Sequence, residues 1–129
     1  MRGGSTNLAL PVFFAALADR TRLRLLNLMV GREVCVCHFV AILAQSQPKI
    51  SRHLAYLRKA GLVTARREGK WMHYSVRAPA DPSVASLLAS VLRLLSSDEH
   101  MLADQARLAR VCCVPQDLVV LDEARSPVA

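Results

Sequence analysis

Four cysteines carry the most reactive chemistry in this chain: Cys35 and Cys37, separated by one valine, and the adjacent pair Cys112 and Cys113. Thiolates are soft ligands and select thiophilic ions over those that prefer carboxylate or imidazole. They form more readily beside cations, and Arg32 lies close to the first pair in sequence. Pairs this closely spaced are poor material for a stapled disulfide framework and fit reduced thiols in a cytosol. A lone buried cysteine is usually a small apolar filler, a reading that paired cysteines weaken for Cys35 and Cys37 more than for Cys112 and Cys113. On an ideal helix, positions 35 and 37 would lie about 200° apart around the axis. A shared ion would then have to distort the helix that carries them. The histidines His38, His53, His73 and His100 show no zinc-ligand spacing.

A second chemistry follows the first directly. The chain carries a net charge of +7, and the same +7 is found between Ser46 and Arg77, where eight cations face the single anion Glu68. Such clustering calls for an anionic partner, with nucleic acid favoured over a membrane surface. Lys49, Arg52, His53 and Tyr56 fall at i, i+3, i+4 and i+7, a hydrogen-bonding stripe beside the core stripe Ile50, Leu54 and Leu57. Arg66, Arg67 and Lys70 cluster around Glu68-Gly69, where they can reach phosphates or the minor groove.

These groups need elements to hold them. Leu10, Phe13, Phe14 and Leu17 predict a first helix with Pro11 in its first turn, and Asp19 caps a second helix through Leu23, Leu26 and Val30 that stops at Gly31. Val36, Phe39, Val40 and Leu43 predict a third helix. A fourth opens at Ser46 or Gln47, with Pro48 in its first turn, and ends at Gly61. From Leu62 the period becomes two, and Val63-Thr64-Ala65 and Trp71 to Val76 read as a hairpin turning at Glu68-Gly69, with Trp71 and Tyr74 in its core. Asp81-Pro82 starts a helical pattern through Val84, Leu87, Leu88, Val91 and Leu95 that resumes after Ser96-Ser97-Asp98 and runs by Met101, Leu102 and Leu108 to Val111. Its apolar excess predicts a dimer seam.

The resulting expectation is a mainly α fold with a small β-hairpin wing, a winged helix-turn-helix dimerised through its terminal helices. Residues 1–111 form one DNA-binding and dimerisation domain, and residues 112–129 form a tail bearing the vicinal cysteines. The apolar stretch from Leu8 to Ala18 superficially mimics a secretory signal, but its helical periodicity argues for a folded element. No run is long enough to span a membrane. The expected location is cytoplasmic.

Glu33-Val34-Cys35-Val36-Cys37-His38, Gln45 to Leu54, and Gly69-Lys70-Trp71-Met72-His73-Tyr74 together resemble the arsenic-responsive winged-helix repressors of the ArsR/SmtB family. The resemblance covers roughly Val12 to Val76. It implies a homodimer that occupies an operator, an imperfect inverted repeat in double-stranded DNA, and dissociates when trivalent arsenic binds cysteine thiolates. It also implies DNA contacts from Ser46, Gln47, Lys49, Ser51, Arg52, His53, Tyr56, Arg66, Arg67 and Lys70. Many relatives carry a third cysteine where this chain has Val40. Cys112 and Cys113 are candidates to complete the Cys35–Cys37 site or to form a separate one, and a two-thiol site would equally suit methylarsenite, with antimonite as a further soft ion. Asp98-Glu99-His100 resembles half of a relative's zinc site, but Val111 and Val114 stand at its partner positions, so zinc is not expected, nor is an organic cofactor. Two alternatives are a winged-helix repressor sensing thiol oxidation and a small thiol reductase. No phosphate-cradling loop accompanies either thiol pair, so an enzyme is not expected.

Overall fold

The computed structural model describes residues 3–111, so Cys112, Cys113 and the rest of the tail expected at residues 112–129 lie outside the described residues. Its elements run α1 (Gly3–Leu17), α2 (Arg20–Leu28), β1 (Val34–Cys35), α3 (Val36–Leu43), α4 (Gln47–Lys59), β2 (Val63–Glu68), β3 (Trp71–Val76), α5 (Pro82–Leu95) and α6 (Glu99–Val111). Asp19 caps α2 as expected, its carboxylate accepting from the Arg22 backbone N–H at 3.0 Å. Gly31 and Gly61 follow α2 and α4 with φ of 72° and 82°, the left-handed region where a side chain would be strained.

The core joins Phe13 and Ala16 of α1, Leu25, Leu26 and Leu28 of α2, Phe39, Ile42 and Leu43 of α3, and Ile50, Leu54 and Leu57 of α4. Each fully buried side chain of this size contributes about 1.5–3 kcal/mol. α6 packs against α2 through a polar seam. Arg24 donates to both oxygens of the fully buried Asp104, at 2.8 and 3.0 Å, and the Asn27 amide donates to the Met101 carbonyl at 3.1 Å.

Several sequence expectations are corrected. α1 begins at Gly3, so Pro11 sits inside the helix, where it removes one backbone hydrogen bond. Phe13 and Ala16 beyond it are buried, which anchors the following turns despite that loss. Val30 lies past the end of α2 and is exposed. The interruption expected at Ser96-Ser97-Asp98 is present, by contrast: α5 ends at Leu95, and the Asp98 carboxylate accepts from the Met101 N–H at the start of α6. Met101 and Leu108 fill the chain's own core, leaving Leu87, Leu94, Leu102 and Val111 as the exposed apolar residues of that region. The hairpin turns at Gly69-Lys70, because Glu68 pairs with Trp71. Trp71 is 48% exposed rather than buried in the wing, whereas Tyr74 packs on the core.

One element was not anticipated. β1 pairs with β3 in the antiparallel order β1-β3-β2, with Val34 opposite Tyr74 and Cys35 opposite His73. Two residues are too few to give a period-two signal. Their pairing joins the thiol segment to the wing.

Candidate effector and nucleic-acid site

Cys35 closes β1 and also serves as N-cap of α3, with extended backbone at φ −75° and ψ 143°. Cys37 lies in the first turn of α3. The 200° separation expected on a continuous helix therefore does not arise. The strand-to-helix corner brings the Cys37 and Cys35 sulfurs to 3.0 Å. With metal–sulfur bonds of about 2.3 Å, one soft atom spans such a pair with little movement of either side chain.

Cys35 is buried and Cys37 exposed, so a ligand reaches the pair from the side of Cys37. Approach is through an open pocket of about 370 Å³ lined by Cys35, Cys37, His38, Glu68, Trp71 and His73. Burial first, and the neighbouring Cys35 sulfur second, push the Cys37 thiol up to about 11. The backbone N–H groups of Cys37 and His38 pull the other way and lose. Activation of Cys37 by a nearby arginine, expected from Arg32, is thus not what this site shows. Burial, then His73, lowers the His38 pKa, and its Nδ1 is buried without a hydrogen-bond partner. Among the described residues, no three His, Cys, Asp or Glu side chains converge to hold a metal ion.

The helix-turn-helix follows. Ala44, at φ 56°, ends α3, and the Ser46 hydroxyl caps α4 by accepting from the Lys49 N–H at 3.4 Å. Ile50, Leu54 and Leu57 bury one face of α4 and turn Gln47, Lys49 and Arg52 to solvent, with Ser51 half-buried off that stripe. His53 and Tyr56 serve the protein's own packing as well. The Arg22 guanidinium stacks 4.1 Å from the Tyr56 ring and lies 3.4 Å from His53 Nδ1, while donating to the Ala15 and Ala16 carbonyls. Arg22 therefore sets the angle of α4 against the α1–α2 corner, a role sequence periodicity did not reveal.

The basic residues expected on the wing separate into two kinds. Arg67 and Lys70 are exposed at the turn, Arg67 donating to the Gly69 carbonyl and Lys70 resting 5.8 Å from the Trp71 ring. Arg66 does not extend to the tip. It forks onto Glu33 with contacts of 2.7–3.2 Å and reaches Glu68 at 3.2 Å. The hydrogen bond to Arg66 holds the Glu33 carboxyl below its ordinary range.

A three-stranded wing beside a capped, basic second helix defines a winged helix-turn-helix DNA-binding regulator. Residues 19–65 match the model of the bacterial regulatory protein arsR family. The chain is 40% identical over 111 residues to the arsenic resistance transcriptional regulator ArsR1 of Pseudomonas putida, covering 84% of each chain. It is 42% identical to the arsenical resistance operon repressor of Escherichia coli, over 81% of this chain and 89% of that one. A relative described as a probable mercury resistance operon repressor, from Streptomyces lividans, is also 42% identical, over 71% of this chain and 70% of the relative. Among solved structures, the homodimeric winged helix-turn-helix DNA-binding domain Mb0332 of Mycobacterium bovis matches with a TM-score of 0.60 and 29% identity, over 74% of this chain and 85% of that one. The chain belongs to the arsR family of transcriptional repressors.

Proposed function

We propose that the protein is a homodimeric, arsenic-responsive repressor. It binds an imperfect inverted repeat through Ser46, Gln47, Lys49, Ser51, Arg52, His53 and Tyr56 of each α4, with phosphate contacts from Arg67 and Lys70, and releases it when trivalent arsenic binds Cys35 and Cys37. The observation that carries this reading is the 3.0 Å sulfur pair at the base of the wing. Trivalent arsenic supplies exchangeable hydroxides: each thiol proton leaves with one hydroxide as water while an arsenic–sulfur bond forms. Two thiols use two of its three valences. Methylarsenite therefore fits as well as arsenite, and Cys112 or Cys113 remains available to take the third valence of arsenite. Exposed Val12, Phe14, Leu87, Leu94, Leu102 and Val111 supply apolar surface for the second protomer.

The geometry also revises how release would occur. Unwinding of α3 is not required, since Cys35 already stands outside the helix. The domain boundary is kept at residues 1–111 and 112–129, and the setting proposed is the cytoplasm; no helix of the described residues is long and apolar enough to cross a membrane.

Operator-release assays on single variants test the reading. Cys35→Ser and Cys37→Ser should each keep operator binding and lose release by arsenite, while Cys112→Ser with Cys113→Ser should retain release by methylarsenite. Full arsenite response in Cys35→Ser would move the site to the tail. Release only by peroxide would favour thiol oxidation, for which the close sulfur pair is also suited. Release by mercury(II) but by no arsenical would change the effector.

A further inference from the structure

Cys35, His73 and Arg66 occupy one row across the three-stranded sheet, since Cys35 pairs with His73 on β3 and His73 with Arg66 on β2. The row begins at the thiol pair and ends beside the basic turn. β1 is only two residues long, and so short a ladder holds a strand weakly by itself. A side-chain tie reinforces it: the Arg66 guanidinium donates to both oxygens of Glu33, the residue just before β1. Such a fork fixes orientation as well as distance.

We infer that the Glu33–Arg66 fork is the link through which occupancy of the thiol pair reaches the wing, an inference that rests on Cys35 and Cys37 being the effector site. Glu33 and Arg66 are positioning residues that touch neither DNA nor effector. In the unloaded protein the fork clamps β1 to β2 across β3, so the wing, whose own hairpin holds Arg67 and Lys70, follows any movement of the thiol segment. Drawing both sulfurs onto one atom displaces Cys35, and with it the two-residue strand whose other end Glu33 holds. The clamp then transmits that displacement to β2. His73, the middle of that row, and Glu68, 3.6 Å from it, line the effector pocket, so the pocket wall moves with the clamp. The sheet is the shared element whose arrangement both ligands bias, which is the physical requirement for coupling between sites.

The test uses Glu33→Gln, which keeps the shape and removes the charge, with Arg66→Gln as its counterpart from the other strand. Arsenic bound per protomer is measured alongside operator affinity without and with saturating arsenite. The wild-type ratio of the two affinities should fall within the ordinary coupling range of about 5- to 150-fold. Both variants should bind arsenic with unchanged stoichiometry and bring that ratio towards one, and Glu33→Gln, which removes no cation, should also keep unloaded operator affinity. An unchanged ratio in both variants would overturn the inference. So would a ratio that falls in Glu33→Gln only because unloaded affinity was lost, which assigns the fork a merely structural part, or loss of arsenic binding in that variant, which places Glu33 in the site itself. If Cys35→Ser still released DNA on adding arsenite, the effector-site reading would fail instead, whatever Glu33→Gln does.

Discussion

Among the described residues, two arginine–carboxylate forks join distant parts of the chain, and what separates them most is exposure. Arg24 meets Asp104 between α2 and α6, where the carboxylate is fully buried and the guanidinium side chain is 13% exposed. Arg66 meets Glu33 on the wing, with 52% and 36% of their side chains exposed. The bonding pattern is nearly the same, but the surroundings are not. A buried pair is costly to break because the surviving charge is left uncompensated, whereas an exposed pair is weak and screened by salt. Chemistry that would lock α6 permanently thus becomes, at the surface, a tie that a ligand of ordinary affinity can shift. The difference teaches where this fold is fixed and where it is free to respond.

The largest expected effect falls on the buried fork. Asp104→Ala should destabilise the protein by about 3–5 kcal/mol, read as a lower urea midpoint, because Arg24 loses its partner inside the α2–α6 seam. A change no bigger than that of an ordinary surface substitution would erase the contrast between the two forks. Glu33→Gln is the counterpart, and its urea midpoint should stay close to wild type. Salt sharpens the same comparison. Raising sodium chloride to about 1 M, where the screening length is about 3 Å, should weaken the effect of arsenite on operator affinity, measured with DNA concentration adjusted to keep binding observable, and leave the Asp104 contribution to stability in place.

Acid acts on the exposed fork in a known direction. Glu33 has a lowered folded-state pKa, so its tie is fully present above the ordinary carboxylate range and is lost as pH falls through the lowered value. Between about pH 6 and 8 the operator response to arsenite should therefore owe no pH dependence to this pair. Next in size comes the basic turn. Replacing Arg67 and Lys70 by alanine should weaken operator and unrelated DNA alike and reduce the slope of log affinity against log salt by about one for each lost phosphate contact. Loss of operator preference instead would mean that the wing reads bases. The smallest effect is optical. Trp71 is the one tryptophan of the chain and lines the thiol pocket, so arsenite should change its emission in wild type and not in Cys37→Ser.

Much of this arrangement was legible in the sequence, because helices announce themselves over many residues. Ile50, Leu54 and Leu57 mark the buried face of α4, and Asp19, Ser46 and Gly61 mark where helices start and stop. What periodicity could not show is the meeting of segments far apart in the chain. Val34-Cys35 is too short to alternate, and only its pairing with Tyr74 and His73 reveals it as a strand. Treating Cys35 as helical produced a conflict between the two sulfurs that the strand-to-helix corner removes. Arg66 lies in a charge run, and a separation of 33 positions along the chain concealed Glu33 as its partner. The polar seam of Arg24, Asn27 and Asp104 was hidden for the same reason: each residue alone reads as surface.

Amide hydrogen exchange with and without arsenite tests most directly whether thiol occupancy reaches the wing through the sheet. Faster exchange should appear at Val34 and Cys35 and along β3 and β2 around His73 and Arg66, while the helical amides of α3 and α4 keep their protection. Faster exchange in the first turns of α3 and α4, with the sheet unchanged, would contradict this route and restore helix unwinding as the way DNA is released.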